Sequence, residues 1–185
     1  DGVEIEGQPP VTKQSDRISL PLRSVTEDYF KLMGIALLDG RGFRSTDSGK
    51  SPAVAVVNRA LADRYFPHQN AIGKKLWLQG RDHPANQIIG IVENGRTDDL
   101  TEKPQPEIYL SFWQAGPFSK HLVIRTSADP RIIASTVQHE LRAIDPTVAV
   151  EQVKTMQEIR NESVASRTFA AQLLTGFSLM GGQIS

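Results

Sequence analysis

Two glycine-containing segments come close to the spacing of nucleotide-binding loops. Residues 40–45 (GRGFRS) begin like the dinucleotide-binding fingerprint, but Ser45 stands at the third glycine position and turn-forming residues follow instead of a helix. Residues 71–75 (AIGKK) carry the Gly-Lys pair of a phosphate loop. However, His68 replaces the first glycine of that loop, and Lys75 replaces the hydroxyl residue that would hold magnesium. We therefore interpret the first segment as a loop and the second as a turn that enters a strand.

The residues that commonly bind metals or perform acid–base chemistry show no catalytic spacing. His139 and Glu140 open like the helical zinc-protease motif, but Ala143 occupies the position of the second histidine ligand, so His139 is predicted to be a surface residue of a helix. The chain has no cysteine, which excludes disulfides, thiolate metal sites and cysteine nucleophiles. Asp98 and Asp99 fall in a polar loop with no partner acid or base fixed beside them. We predict no catalytic, cofactor-binding or metal site, and we expect that the chain is not an enzyme.

Composition limits the classes of partner. Hydrophobic residues make up 39% and charged residues 23% of the 185 residues, as in soluble globular proteins. The 21 basic and 21 acidic residues balance, so no net field attracts nucleic acid or an anionic membrane surface, and no nucleic-acid partner is expected. The chain begins with Asp1 and carries no targeting segment there, which we read as the removal of a leader or of a preceding part of the protein.

Apolar periodicity and turn residues predict an α+β arrangement of strands and helices. Strands are predicted at 18–25, 53–57, 74–79, 87–92, 106–112, 121–126 and 148–153. Helices are predicted from Thr26 to Gly34, from the cap Asn58 to Phe66, from Asp129-Pro130 to Pro146, and from the capping box Thr155–Glu158 onward. Residues 39–52 are predicted to be a loop. The order of elements is not the strict alternation of a parallel sheet, and it is typical of an α+β fold.

The last part of the chain, residues 169–182, is rich in apolar and small residues. It is shorter than the roughly 20 apolar residues that a membrane-spanning helix needs. Its larger apolar side chains are Phe169, Leu173, Leu174 and Phe177. Three of them share one helical face, which fits a core helix packed on the domain, whereas the small residues between them are common in membrane helices. The sequence pattern leaves both interpretations open.

Several short segments, taken in their order along the chain, resemble one known family. They are 24–35 (SVTEDYFKLMGI), 38–43 (LDGRGF), 54–67 (VAVVNRALADRYFP), 72–74 (IGK), 88–92 (IIGIV), 106–110 (PEIYL), 123–126 (VIRT) and 141–146 (LRAIDP). Together they are similar to the MacB-like periplasmic core domain of ABC-transporter permeases, in the variety found in FtsX-like and duplicated orphan permeases. The resemblance covers residues 18–177.

The resemblance implies a two-part architecture. A porter-like α/β subdomain is built from both chain ends, residues 1–47 and 118–168, and a smaller strand-rich subdomain is inserted between them at residues 48–117. Residues 169–185 then form the stub of a transmembrane helix, with Phe169, Leu173, Leu174 and Phe177 at the membrane junction. The strand that follows the first membrane helix in the family is missing at the start of this chain.

The resemblance also implies a function without catalysis. The chain is expected to be the extracytoplasmic domain of a permease in a bacterial inner membrane, facing the periplasm or cell exterior. It would pass ATP-driven conformational change to substrates or partner proteins outside the membrane. Expected partners are a second permease protomer or duplicated half, a cytoplasmic ATPase subunit reached through the membrane region, and an accessory protein outside. The alternative hypothesis is a free-standing extracytoplasmic module that binds a small ligand in a cleft between two subdomains.

Overall fold

The computed structural model describes residues 2–9, 17–95, 103–116, 121–147, 150, 152–159 and 161. The chain divides into two compact units, residues 1–124 and residues 125–185. The first unit carries the sheet, and the second carries the longest helix of the described residues.

The described part of the first unit combines a mixed sheet with short helices. The strands are β1 (Gly2–Ile5), β2 (Ile18–Ser19), β3 (Leu22–Val25), β4 (Leu37–Gly40), β5 (Val54–Asn58), β6 (Lys75–Trp77), β7 (Asn86–Val92) and β8 (Ile108–Ser111). The helices are α1 (Tyr29–Met33), α2 (Arg59–Tyr65) and α3 (Phe112–Ala115). The strands are ordered β2-β1-β6-β7-β5-β8-β3, and β4 pairs with β7 beside this row. The α+β fold class is confirmed.

Strand β5 lies in the middle of the sheet and is buried along its whole length. It runs parallel to β7 and antiparallel to β8. Because successive side chains of a strand point to opposite faces, Ala55 and Val57 enter one apolar cluster with α2, while Val54 and Val56 enter another with the aromatic side chains. The continuous apolar run of residues 53–57 therefore reflects burial on both faces, as predicted.

Asn58 joins three elements at the end of β5, and it is 1% exposed. Its Oδ1 atom accepts hydrogen bonds from the backbone N–H of Leu61 and of Glu107, both at 3.0 Å. Its Nδ2 atom donates to the backbone oxygen of Gln105 at 2.8 Å. The predicted helix cap is confirmed, and the same side chain also holds the chain that leads into β8.

The prediction of one continuous strand over residues 18–25 is wrong in one detail. Pairing stops at Leu20 and Pro21, and the segment becomes two strands, β2 and β3, with different partners. Proline has no N–H to donate, which prevents a continuous ladder. The presence of Pro21 also predicted that this segment lies at an edge of the sheet. This is confirmed, since β3 is the last strand in the row. The predicted loop at 39–52 is correct except that its first two residues belong to β4.

Residues 121–126 do not form the predicted strand. Leu122, Val123 and Ile124 are 66%, 37% and 45% exposed, and none of them is paired in the described sheet. An apolar run such as residues 122–124 gives a strand only where a neighbouring strand supplies hydrogen bonds, and the run alone does not provide that neighbour.

The second unit contains helix α4 (Pro130–Ile144). Its start is as predicted: Asp129 accepts a hydrogen bond from the N–H of Arg131 at 2.8 Å, and Pro130 occupies the first turn. The capping box is also confirmed, because Thr155 N donates to Glu158 Oε2 at 2.7 Å and Glu158 N donates to Thr155 Oγ1 at 3.1 Å.

The strand predicted at 148–153 lies partly outside the described residues, and positions 150, 152 and 153 carry no strand pairing. Within the described ranges, no helix combines the length and hydrophobicity that crossing a bilayer requires.

Replacing Asn58 by Ala should lower the free energy of unfolding by about 3 kcal/mol, because it removes a helix cap and leaves two buried N–H groups without an acceptor. Urea denaturation of the variant and of Asn70→Ala measures this. Asn70 is the matched control, since its side chain accepts a single bond, from Ile72 N, at an exposed site. Equal losses for the two variants would contradict the role assigned to Asn58.

Candidate functional site

The segment that begins like a dinucleotide fingerprint is a loop closed by its own ion pair. Arg41 Nη1 and Nη2 donate to the two carboxylate oxygens of Asp47 at 2.7 and 2.9 Å. The N–H of Arg44 donates to the same carboxylate at 2.8 Å, and Ser111 Oγ donates to the backbone oxygen of Asp47 at 2.7 Å. The Asp47 side chain is 7% exposed, and its negative charge disfavours a phosphate beside it. The interpretation of this segment as a loop is confirmed.

The hydrogen bonds of Arg41 hold the pKa of the Asp47 carboxyl below its ordinary value, although partial burial acts in the opposite direction. Gly40, just before the pair, has a φ of 71° and lies opposite Gly90 of β7. A Cβ atom on Gly40 would collide with the backbone oxygen of Ile89, so glycine allows β4 to pair closely with β7. The glycines therefore serve strand packing here.

The other motifs also have local structural roles. Gly73 has a φ of 87°, and its N–H donates to Ile88 oxygen at 2.8 Å, which makes the Gly-Lys pair a turn into β6 as predicted. His139 is exposed on α4, also as predicted. Among the described residues, no group of three histidine, aspartate or glutamate side chains is arranged to hold a metal ion. Asp98 and Asp99 lie outside the described residues.

Residues from three separate family-like segments meet in one aromatic cluster. Phe30 packs edge-on against Tyr109, with ring centroids 5.0 Å apart, and stacks on Phe43 at 6.2 Å. Tyr29 lies 6.1 Å from the Tyr109 ring. Edge-on and offset ring pairs are the favoured aromatic geometries. The segments that carry the sequence resemblance are therefore joined by direct packing.

A cluster of hydrogen-bonded polar side chains borders the aromatic cluster. The Tyr109 hydroxyl donates to Glu107 Oε2 at 2.7 Å, and Arg23 Nε donates to Glu107 Oε1 at 3.0 Å. Burial raises the pKa of Tyr109, and the Glu107 carboxylate raises it further. The hydroxyl thus stays protonated and acts as a donor. This arrangement stabilises the contact between β3 and β8 and presents no free nucleophile.

A second cluster, of charged side chains, surrounds Glu4 on β1. The Glu4 side chain is 6% exposed and contacts Arg17 Nε at 3.4 Å and Arg81 Nε at 3.3 Å. The Arg81 guanidinium also lies over the Trp77 ring, 4.7 Å from its centroid. A buried carboxylate requires such partners, because an isolated buried charge is costly. Both arginines are therefore occupied by structural contacts.

An open groove of about 320 Å³ lies at one end of the sheet, where β5 and β7 begin and β6 and β8 end. It is lined by Ala53, Leu78, Gln79, His83, Pro84, Asn86, Leu110, Gln114 and Ala115. Sequence reasoning did not find this groove. Its residues come from three separate stretches of the chain, 53, 78–86 and 110–115, which share no motif, and only the strand order brings them together.

The predicted membrane-junction residues Phe169, Leu173, Leu174 and Phe177 lie outside the described residues. Their assignment stays a prediction. The subdomain boundaries at 47/48 and 117/118 also stay predictions. Strand β3 precedes the first boundary and strand β8 follows it, and these two strands pair in one sheet.

Comparison with known proteins decides the family. The sequence model of the MacB-like periplasmic core domain matches residues 4–171. The chain belongs to this family. The predicted resemblance is confirmed, and the chain is homologous to the periplasmic domains of MacB-like ABC-transporter permeases.

Two solved structures share the fold of this MacB-like domain. The periplasmic region of MacB from Actinobacillus actinomycetemcomitans superposes with a TM-score of 0.57 and 16% identity, over 77% of this chain and 62% of that one. A domain of a permease protein from Porphyromonas gingivalis gives a TM-score of 0.51 and 12% identity, over 85% of this chain and 76% of that one. At these identities the likeness concerns the fold alone.

A curated relative is the macrolide export ATP-binding/permease protein MacB of Photorhabdus laumondii subsp. laumondii. It is 29% identical over 91 residues, which are 49% of this chain and 14% of that protein. The MacB-like domain described here therefore spans a small part of its relative's length.

Replacing Asp47 by Asn should lower the free energy of unfolding by about 2 kcal/mol near neutral pH, because it removes charge-assisted hydrogen bonds to Arg41. The pKa of Asp47 is depressed in the folded state. The stabilisation that its charge provides is therefore fully present above the ordinary carboxyl pKa of about 4, and it is lost as the pH falls through the lower pKa of the folded state. The difference between wild type and variant should therefore shrink on acidification.

Thermal unfolding across the pH range measures that difference. Asp63→Asn, at an exposed position of α2, is the matched control for the loss of one carboxylate. A difference for Asp47→Asn that stays constant down to acidic pH would contradict the depressed pKa.

Proposed function

We propose that this chain is the extracytoplasmic domain of an ABC-transporter permease in a bacterial inner membrane, and that it acts mechanically and without catalysis. In this role it passes conformational change, driven by a cytoplasmic ATPase, to substrates or partner proteins outside the membrane. The family match over residues 4–171 carries the proposal. A second permease protomer or duplicated half completes the moving pair.

The packing of the first unit supports a mechanical role. A domain that transmits movement must move as a body, and close-packed interiors transmit displacement because they deform little. Here β5 is buried on both faces, Asn58 fixes the end of β5 to α2 and β8, and Asp47 closes the adjoining loop. The polar side chains at these junctions are paired in structural contacts, which fits transmission better than chemistry.

We also propose that the two chain ends, residues 1–47 and 118–168, form one porter-like α/β subdomain. The supporting observations are the sheet-edge position of β3 and the exposed apolar side chains of Leu122, Val123 and Ile124. Phe169, Leu173, Leu174 and Phe177 then lead into a transmembrane helix. Small residues among them favour lipid over a soluble core.

The mechanical role predicts movement between two domains but none within one. The test places a spin label at Asp63→Cys in both halves of a full permease that has no other cysteine. Electron–electron double resonance then measures the distance between the two labels. This distance should change by several ångströms between the nucleotide-free and ATP-trapped states. This chain has no native cysteine, so the label site is unique within it.

The control for that experiment places both labels in one domain, at Asp63 and at the exposed Lys75 on β6. This distance should stay constant if the domain moves as a body. An unchanged distance between the two halves in every nucleotide state, with ATP hydrolysis intact, would refute the transmission of movement.

The membrane-junction proposal predicts that deleting residues 169–185 changes the free energy of unfolding of the isolated chain by less than about 1 kcal/mol. Apolar side chains that belong in lipid contribute little to a soluble core, whereas core residues contribute roughly 1.5–3 kcal/mol each. Urea denaturation of the full and shortened chains measures the change. A loss of several kcal/mol would assign the segment to a core helix instead.

A further inference from the structure

One asparagine of the chain is followed directly by glycine, in the pair Asn94-Gly95. The other asparagines precede residues that carry a Cβ atom; they are Asn58, Asn70, Asn86 and Asn161. A backbone nitrogen can attack the side-chain carbonyl carbon of the asparagine before it, and a glycine nitrogen is the least hindered because glycine has no Cβ atom. This attack expels the side-chain nitrogen as ammonia. Asn94 is therefore the asparagine whose following residue hinders the reaction least.

The surroundings of Gly95 leave its nitrogen able to turn. The pair follows β7 and belongs to no helix or strand. A Cβ atom built on Gly95 would meet nothing closer than Glu107 Oε2, at 4.0 Å. Within the described residues, the Gly95 N–H donates no hydrogen bond. No backbone pairing among those residues therefore has to break before the nitrogen approaches Cγ of Asn94.

The side chain of Asn94 is held in a way that favours the attack. Its Oδ1 atom accepts a hydrogen bond from the backbone N–H of Ala60 in α2, at 2.9 Å. Negative charge develops on Oδ1 when a nucleophile adds to Cγ, and a backbone N–H at this distance stabilises such a charge. In the described part of the chain, Nδ2 donates no hydrogen bond, so those residues do not retain the group that leaves.

We propose that Asn94 is a site of spontaneous deamidation and isomerisation in the folded domain. The Gly95 nitrogen loses its proton to water and forms a bond to Cγ of Asn94. The bond from Cγ to Nδ2 breaks, Nδ2 takes up a proton and leaves as ammonia, and a succinimide ring joins the two residues. Water then opens the ring at either carbonyl carbon, which gives aspartate or isoaspartate. Nothing is oxidised or reduced, and water is the co-reactant.

The modification changes the junction between β7 and α2. Glu93 Oε2 already pairs with Arg59 Nη2 at 3.3 Å, and the reaction adds a second negative charge at the next residue. An aspartate at position 94 keeps an acceptor oxygen for the Ala60 N–H. Isoaspartate instead adds one carbon atom to the main chain and so changes its path between Glu93 and Gly95. The reaction requires no partner, so this site does not depend on the proposed role in a permease.

The test incubates the purified 185-residue chain at neutral and at alkaline pH and follows its tryptic peptides by mass spectrometry. Cleavage after Arg81 and Arg96 gives one peptide that contains both Asn86 and Asn94, so Asn86 is an internal control. Conversion at Asn94 should be at least about tenfold faster, because Gln87 carries a Cβ atom and Asn86 lies within β7. The rate should rise with pH, since the deprotonated nitrogen is the attacking form. Electron-transfer fragmentation separates aspartate from isoaspartate.

Two glycine variants test the attacking residue. Gly95→Ala places a methyl group in open space, so the fold is kept, but the methyl group hinders the attack and should slow conversion of Asn94 at least about tenfold. Gly42→Ala is the matched control, because a Cβ atom there also meets nothing within 4 Å. It should leave the conversion of Asn94 unchanged. Equal rates for Gly95→Ala and wild type would overturn the proposal.

A peptide of the same sequence measures the reaction without the fold. N-acetyl-Val-Glu-Asn-Gly-Arg-amide should convert at a rate within about tenfold of that of Asn94 in the folded domain, because the Ala60 N–H supports the attack. A domain that converts more slowly than this margin would show that the fold blocks the reaction, and the proposal would be lost. Conversion at Asn86 as fast as at Asn94 would overturn it as well.

Discussion

Strand β5 is buried on both faces and paired on both edges, and the other elements of the first unit are arranged around it. Each of its buried valines contributes roughly 1.5–3 kcal/mol relative to an exposed position. A strand in this position has no contact with water, so its polar ends must find partners within the protein. Asn58 supplies them at one end, and Gln114 binds the N–H of Val54 at the other. The groove lies beside the second of these ends.

Sequence reasoning succeeded where the determining interaction is local. Asn58, Asp129 and the pair Thr155–Glu158 each cap a helix through bonds to residues two or three positions away, and such bonds can be read from spacing. The burial of β5 also followed from its composition alone. The family followed from the order of several short segments, because the spacing between them reflects the whole fold.

Long-range strand pairing escaped prediction. Nothing near residues 22–25 indicates that they pair in parallel with residues 108–111, more than eighty positions later. The groove depends on the order of β5, β6, β7 and β8 in the sheet, so it could not be predicted either. Residues 121–126 show the opposite error: their short apolar run is strand-like, but the described sheet supplies no neighbour. Three of the family-like segments meet in the aromatic cluster, and the groove residues other than Leu110 lie outside the family-like segments.

The parallel pairing of β3 with β8 has a consequence for load. Four consecutive residue pairs, from Leu22–Ile108 to Val25–Ser111, are in register, and hydrogen bonds in a parallel ladder are evenly spaced. A force that pulls the start of β3 away from the end of β8 acts along the strands. All the hydrogen bonds of the ladder are then loaded together in shear, and they do not break one after another. This margin of the sheet is therefore mechanically strong along its strands and weaker to a pull directed across them.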